Sequence, residues 1–190
     1  MGGIVKTPKI QTEWKDARGR PSNFTKTISS IPLSSLQVFI GNATDADIRS
    51  TTNDQANALT VLFFRGAGKQ IPQHWFTVPN LLKKDISGKT ALHWAAERGW
   101  AGIPTEFLTL KNLSIKDSEG ETPLQKALQY DHWQSLPILQ DEKSWLALSN
   151  GDREKALHDI MKFLPAIPKG KEFLTKDWKH LEECGSWEGL

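Results

Sequence analysis

The chain has 190 residues, 24 Lys and Arg against 22 Asp and Glu for a net charge of +2, and 38% hydrophobic residues, the composition of an ordinary globular protein. That length holds one core or a short stack of repeats rather than two full-sized catalytic domains, and a solitary Cys184 excludes an intrachain disulfide framework and suggests a reducing compartment. The densest apolar run, Val61 to Phe64, falls far short of the roughly 20 residues of a membrane span. The start Met1-Gly2-Gly3-Ile4-Val5-Lys6 lacks a secretory core, so the expected location is cytoplasmic.

Residues 1–30 carry Lys6, Lys9, Lys15, Arg18, Arg20 and Lys26 against Glu13 and Asp16, a net of 6 − 2 = +4. Few large apolar residues accompany them, which predicts a basic, extended N-terminal arm. A solvated tail is the first reading of it. The second is a nucleic-acid contact, with Lys9, Lys15, Arg18 and Arg20 on phosphates and Trp14 stacked on a base. Further along, residues 41–53 are polar and read as a loop, a candidate partner contact. The segment Arg65-Gly66-Ala67-Gly68-Lys69-Gln70 invites a phosphate-loop reading but fails on spacing. Phe63 stands where the first Gly is needed, and Gln70 where Ser or Thr is needed.

From there the chain repeats itself. Ile71-Pro72-Gln73-His74-Trp75-Phe76-Thr77 returns as Ile103-Pro104-Thr105-Glu106-Phe107-Leu108-Thr109, 103 − 71 = 32 residues later. Ile167-Pro168, at 167 − 103 = 64, doubles the period, and Leu136-Pro137 fills the gap. Between these markers, Asp85-Ile86-Ser87-Gly88-Lys89-Thr90-Ala91-Leu92 matches Asp117-Ser118-Glu119-Gly120-Glu121-Thr122-Pro123-Leu124 at the same spacing of 32. Asp-x-x-Gly-x-Thr is turn chemistry: Gly88 and Gly120 supply positive φ, and Asp85 and Asp117 bond local amides. Thr90 and Thr122 then cap a helix, Pro123 opens one, and Gly99 ends one. Ile103 is expected to start a second short helix that buries Phe107 and Leu108. One such unit cannot cover its own apolar face, so its neighbours must.

With its Thr-Ala-Leu-His and Thr-Pro-Leu wording, this pattern resembles the ankyrin repeat, and the Ile-Pro-x-x-Phe-Leu-Thr variant of it found in bacterial and phage proteins. The resemblance implies an all-α solenoid of about four helix pairs, with units near 31–70, 71–102, 103–135 and 136–166 and a cap at 167–190. Atypical end units are expected; Asn57 is read as replacing the turn glycine of the first.

The resemblance also implies a structural role for His93, which ties its own turn to the next. His74, His93, His132, His158 and His180 show no His-x-x-x-His pair, and the lone Cys184 supplies no Zn cluster, so no metal and no cofactor are expected. No catalytic motif is legible, and the expectation is a non-enzyme. Trp75 and Trp94 read as core, whereas Trp100 and Trp133, near turns, are candidate exposed anchors. Mapped onto this chain, the surface that ankyrin repeats use for protein partners comprises Lys84, Ile86, Ser87, Lys89, Glu97 and Arg98 in one unit. In the next it comprises Lys116, Ser118, Glu119, Glu121, Gln129 and Tyr130. The first set is mainly basic and the second mixed or acidic, which implies a partner of matching polarity.

Overall fold

The repeat is built from its turns outward. Asp85 Oδ1 accepts hydrogen bonds from the amides of Ser87 (2.9 Å) and Lys89 (3.0 Å), and Asp117 Oδ1 from those of Glu119 (2.9 Å) and Glu121 (3.0 Å). Gly88 and Gly120 sit at φ of 72° and 81°, which glycine adopts without strain. Thr90 and Thr122 close the turns as capping boxes for the helices that follow, with His93 and Gln125 returning a side chain to the cap amide.

The computed structural model describes residues 23–100, 102–163 and 171–183. Among them the inner helices are α1 (Phe24–Ser30), α4 (Ala58–Phe64), α6 (Ala91–Arg98), α8 (Pro123–Gln129) and α10 (Asn150–Phe163). They pack on one another in chain order. Paired with them are shorter outer helices: α2 (Leu36–Gly41), α5 (Val78–Leu82), α7 (Leu110–Leu113), α9 (Glu142–Leu146) and α11 (Phe173–Glu183), with α3 (Asp45–Arg49) inserted after α2. The all-α solenoid is as expected. Its core is periodic: Leu59, Leu92, Leu124 and Leu157 are at most 1% exposed, each contributing on the order of 1.5–3 kcal/mol by burial. On the outer layer Leu81, Leu113 and Trp145 recur in the same way, all fully buried.

Adjacent turns are stitched along the stack. The amide of Ile86 donates to Asp54 O (2.8 Å) and that of Ser118 to Ser87 O (3.0 Å). A Cβ on Gly88 would lie 2.8 Å from the Ser118 amide nitrogen, so only glycine admits this approach. Lys84 Nζ donates to Lys116 O, one unit on, at 2.7 Å.

Several expectations change. The last part of the arm is not extended: residues 24–30 form α1, capped by Asn23, with Phe24 and Ile28 fully buried. Thr25 bonds Ser50, and both guanidinium ends of Arg65 hold α1's terminal carbonyls, at Ile28 and, at 2.6 Å, Ile31. The stack therefore begins ahead of residue 31. Lys9, Trp14, Lys15, Arg18 and Arg20 lie outside the described residues. The polar segment 41–53 contains α3, held by a Thr44–Asp47 capping box, which accounts for the extra length of this unit. Gln55, not Asn57, takes the turn glycine's place, at φ 61°, while Asn57 caps α4. The second helices start later than Ile103 suggests: Pro104 precedes a 3-10 turn, Thr105–Phe107, and Thr109 then caps α7.

Trp100 and Trp133 are corrected most sharply. Each is 5% exposed, which removes both as surface anchors. Trp100 has φ 60°, folds back, and donates Nε1–H to His132 O at 3.1 Å; Trp133 donates to Asp131 Oδ1 at 2.9 Å. A buried indole with its N–H satisfied is structural. Trp94 moves the other way, being only half-buried.

Candidate partner-binding groove

Between the turn tips and the inner helices of the first three units lies an open groove of about 710 Å³. Its floor and walls are Ala56, Thr60, Val61, Phe64, Ile86 and Trp94, and its polar rim includes Lys26, Asp54, Arg65, Asp85 and Ser87. Phe64 and Ile86 are 53% and 65% exposed, and the Phe64 ring stands edge-on to Trp94 with centroids 4.9 Å apart. Trp94 is fixed from three sides. Its Nε1–H donates to Asp85 Oδ2 (3.3 Å), Phe64 meets it in a T-shaped contact, and Lys89 Nζ lies 4.6 Å from its ring centroid, a cation–π placement. Lys89 also approaches Glu97 at 3.6 Å.

One unit on, Lys126 takes the position of Trp94. It pairs with Glu121 and is 7% exposed. Burial pulls its ammonium down, but the hydrogen bond and charge of Glu121, backed by Glu97 and Asp117, raise it above its ordinary value. Asp117, Glu119 and Glu121 bring carboxylate oxygens within 4.8 Å of one another at this tip. Partial burial lowers the Arg65 guanidinium, which stays charged.

His93 anchors the groove from behind. Its Nδ1 accepts from the Thr90 amide (3.0 Å), which fixes the proton on Nε2, and Nε2–H then donates to Glu121 O (3.2 Å) in the next turn. Burial depresses its pKa, against smaller opposing effects of the Glu121 carbonyl and Asp117.

Of the residues expected at the site, Ile86 and Ser87 line the groove, and Lys89 and Glu97 meet at its Trp94 side. Arg98, Lys116, Ser118, Glu119, Gln129 and Tyr130 are exposed, and Glu121 is half-buried in its ion pair. Lys84 is spent on the Lys116 carbonyl. Sequence reasoning missed Lys26, Phe64, Arg65 and Trp94 as lining residues. The available signal was that Phe64 stands where Glu97 does, one unit earlier, on a helix whose other apolar residues face inward.

Stacked capped turns, two helical layers and a groove along the tips agree with the family comparison. A family model for ankyrin repeats (3 copies) matches residues 50–144, half of the 190-residue chain. The chain belongs to the ankyrin-repeat family. No curated protein matches it. Ankyrin repeats are in general protein–protein interaction modules and typically non-catalytic, and among the described residues of this member no helix is long and apolar enough to cross a membrane.

Proposed function

We propose that this ankyrin-repeat chain is a non-catalytic recognition module, an adaptor or stand-alone inhibitor, that takes a protein partner on its turn tips and inner-helix face. The observation that carries this reading is the exposed pair Phe64 and Ile86 beside a rigid, half-buried Trp94. Apolar side chains clustered in a groove with a polar rim are the anatomy of an interaction site, and pre-positioned aromatics lose little entropy on binding. The mapped residues Glu97, Arg98, Glu119, Gln129 and Tyr130 extend that face. A single cysteine suits work in the reducing cytoplasm.

Parallel capture from host lysate with the wild-type chain and an Ile86→Asp/Phe64→Ala variant, read by quantitative mass spectrometry, tests the proposal. Both side chains are exposed, so the variant should unfold at nearly the wild-type temperature while retaining at most about a tenth of the captured partner. Equal capture by the two would remove the groove as the site. The basic residues of 1–30 favour a second reading, a nucleic-acid accessory role. It requires that capture collapse after nuclease treatment and that affinity fall steeply with salt.

A further inference from the structure

Positions that are equivalent from unit to unit differ in chemistry along the groove. At the turn tips Ala56 is followed by Lys89 and then Glu121, and Asp54 by Ser87 and then Glu119; on the inner helices Val61 gives way to Trp94 and then Lys126. At the α1–α4 end the cations are Lys26, exposed, and Arg65, and neither has a carboxylate partner among the described residues. Asp54 is the acid on the tip at that end. The middle is apolar, with Val61, Phe64, Ile86 and Trp94 enclosing the groove. Toward α8 the carboxylates of Asp117, Glu119 and Glu121 lie within 4.8 Å of one another with Lys126 paired to Glu121, and Glu97 meets Lys89; Lys84, bound to the Lys116 carbonyl, and the exposed Lys116 flank this cluster. Glu119 is exposed there.

Resting on the reading of this face as the partner site, we infer that its occupant is an extended protein segment with a bulky apolar residue flanked by acidic residues on one side and basic residues on the other. The acidic flank lies over Lys26 and Arg65, the apolar residue between Phe64, Ile86 and Trp94, and the basic flank over Glu119 and its neighbours. Unlike charges at the two ends fix the direction in which the segment lies. They also reject segments of uniform charge, which gain at one end and are repelled at the other.

Selection of a phage-displayed library of random dodecapeptides on the intact chain tests the inference, the enriched sequences then being titrated as synthetic peptides. The expected peptides share the acidic–apolar–basic pattern, lose at least about tenfold in affinity on Ile86→Asp, and lose about threefold or more on either Lys26→Glu or Glu119→Lys. A fresh selection on Lys26→Glu should return peptides basic on both flanks. Peptides that are weakened by Ile86→Asp but carry uniform charge, or ignore the charge reversals, would overturn the polarity and leave the face standing. Peptides indifferent to Ile86→Asp would overturn the face as well, and failure to enrich any sequence would overturn the inference outright.

Discussion

Trp145→Ala is expected to lower the stability of the chain by about 3–5 kcal/mol, seen as a shift of the urea midpoint. Trp145 is fully buried and fills, with a larger ring, the position held by Leu81 and Leu113 in the preceding units. It also closes the C-terminal end of the stack. Its Nε1–H donates to Asp177 Oδ2 at 2.7 Å, Asp177 meets Arg153 Nε at 3.4 Å, and its ring lies 6.4 Å from that of Phe173. Trp145 therefore joins α9 to α11, and Asp177 carries the link on to Arg153 of α10. Truncation leaves a cavity and strips a partner from a carboxylate that must then find water or Arg153 alone. Trp145→Phe, which restores most of the volume but not the N–H, should recover more than half of the loss. A loss under about 1 kcal/mol for the alanine variant would show that α11 is not part of the supporting stack.

The second large effect belongs to His93, where His93→Leu should cost about 2–4 kcal/mol. Leucine matches the bulk but leaves two buried backbone groups, the Thr90 amide and the Glu121 carbonyl, without the partners His93 gives them, each worth about 1–3 kcal/mol when orphaned. Gln125 performs the capping half of this task in the next unit, accepting from the Thr122 amide at 3.0 Å, so His93→Gln should lose markedly less than His93→Leu. The pH dependence has a definite sign. Burial holds the folded imidazole below its ordinary pKa, whereas the unfolded chain takes up the proton as pH falls through about 6.5. The unfolded state then binds more protons, and the stability His93 confers is full above that pH and declines as acid is added, until the folded imidazole itself titrates. The gap between wild type and His93→Leu, read from urea titrations at pH 7.5, 6.5 and 5.5, should narrow step by step. A constant gap would mean that the imidazole is not held neutral.

Legibility in the sequence followed the turn chemistry. Asp85, Gly88 and Thr90 and their partners Asp117, Gly120 and Thr122 have few substitutes, because two amides, a positive φ and a helix cap must all be served within six residues, and the repeat was plain where they stand. The first units use stand-ins. Gln55 accepts the strained turn position, and Asn57 and Asn23 cap α4 and α1 in place of threonine, so residues 24–30 looked like part of a basic tail. What buries α1 is not local: Thr25 reaches Ser50 and Arg65 reaches Ile28, contacts that no periodicity announces. The groove suffered most from this, since Lys26 and Arg65 form one end of it. Position relative to a turn does not reveal that Trp100 sits at φ 60°, or that Asp131 at φ 59° precedes Trp133, the backbone geometry beside these two buried indoles. The tip residues Ile86 and Ser87 were found because the turn that exposes them is itself the signature.

Underlying both stability and recognition is the stitching of one turn to the next, which aligns the tips into a continuous wall. Native-state hydrogen exchange of the intact chain reads it amide by amide. The amides of Ile86 and Ser118, which donate to Asp54 and Ser87 of the preceding tips at 2.8 and 3.0 Å, should exchange at least about a hundredfold more slowly than in an unstructured peptide and within a narrow range of each other. Exchange of these two amides at unstructured rates, with α6 and α8 still protected, would contradict the stacked wall on which the groove and its proposed partner depend.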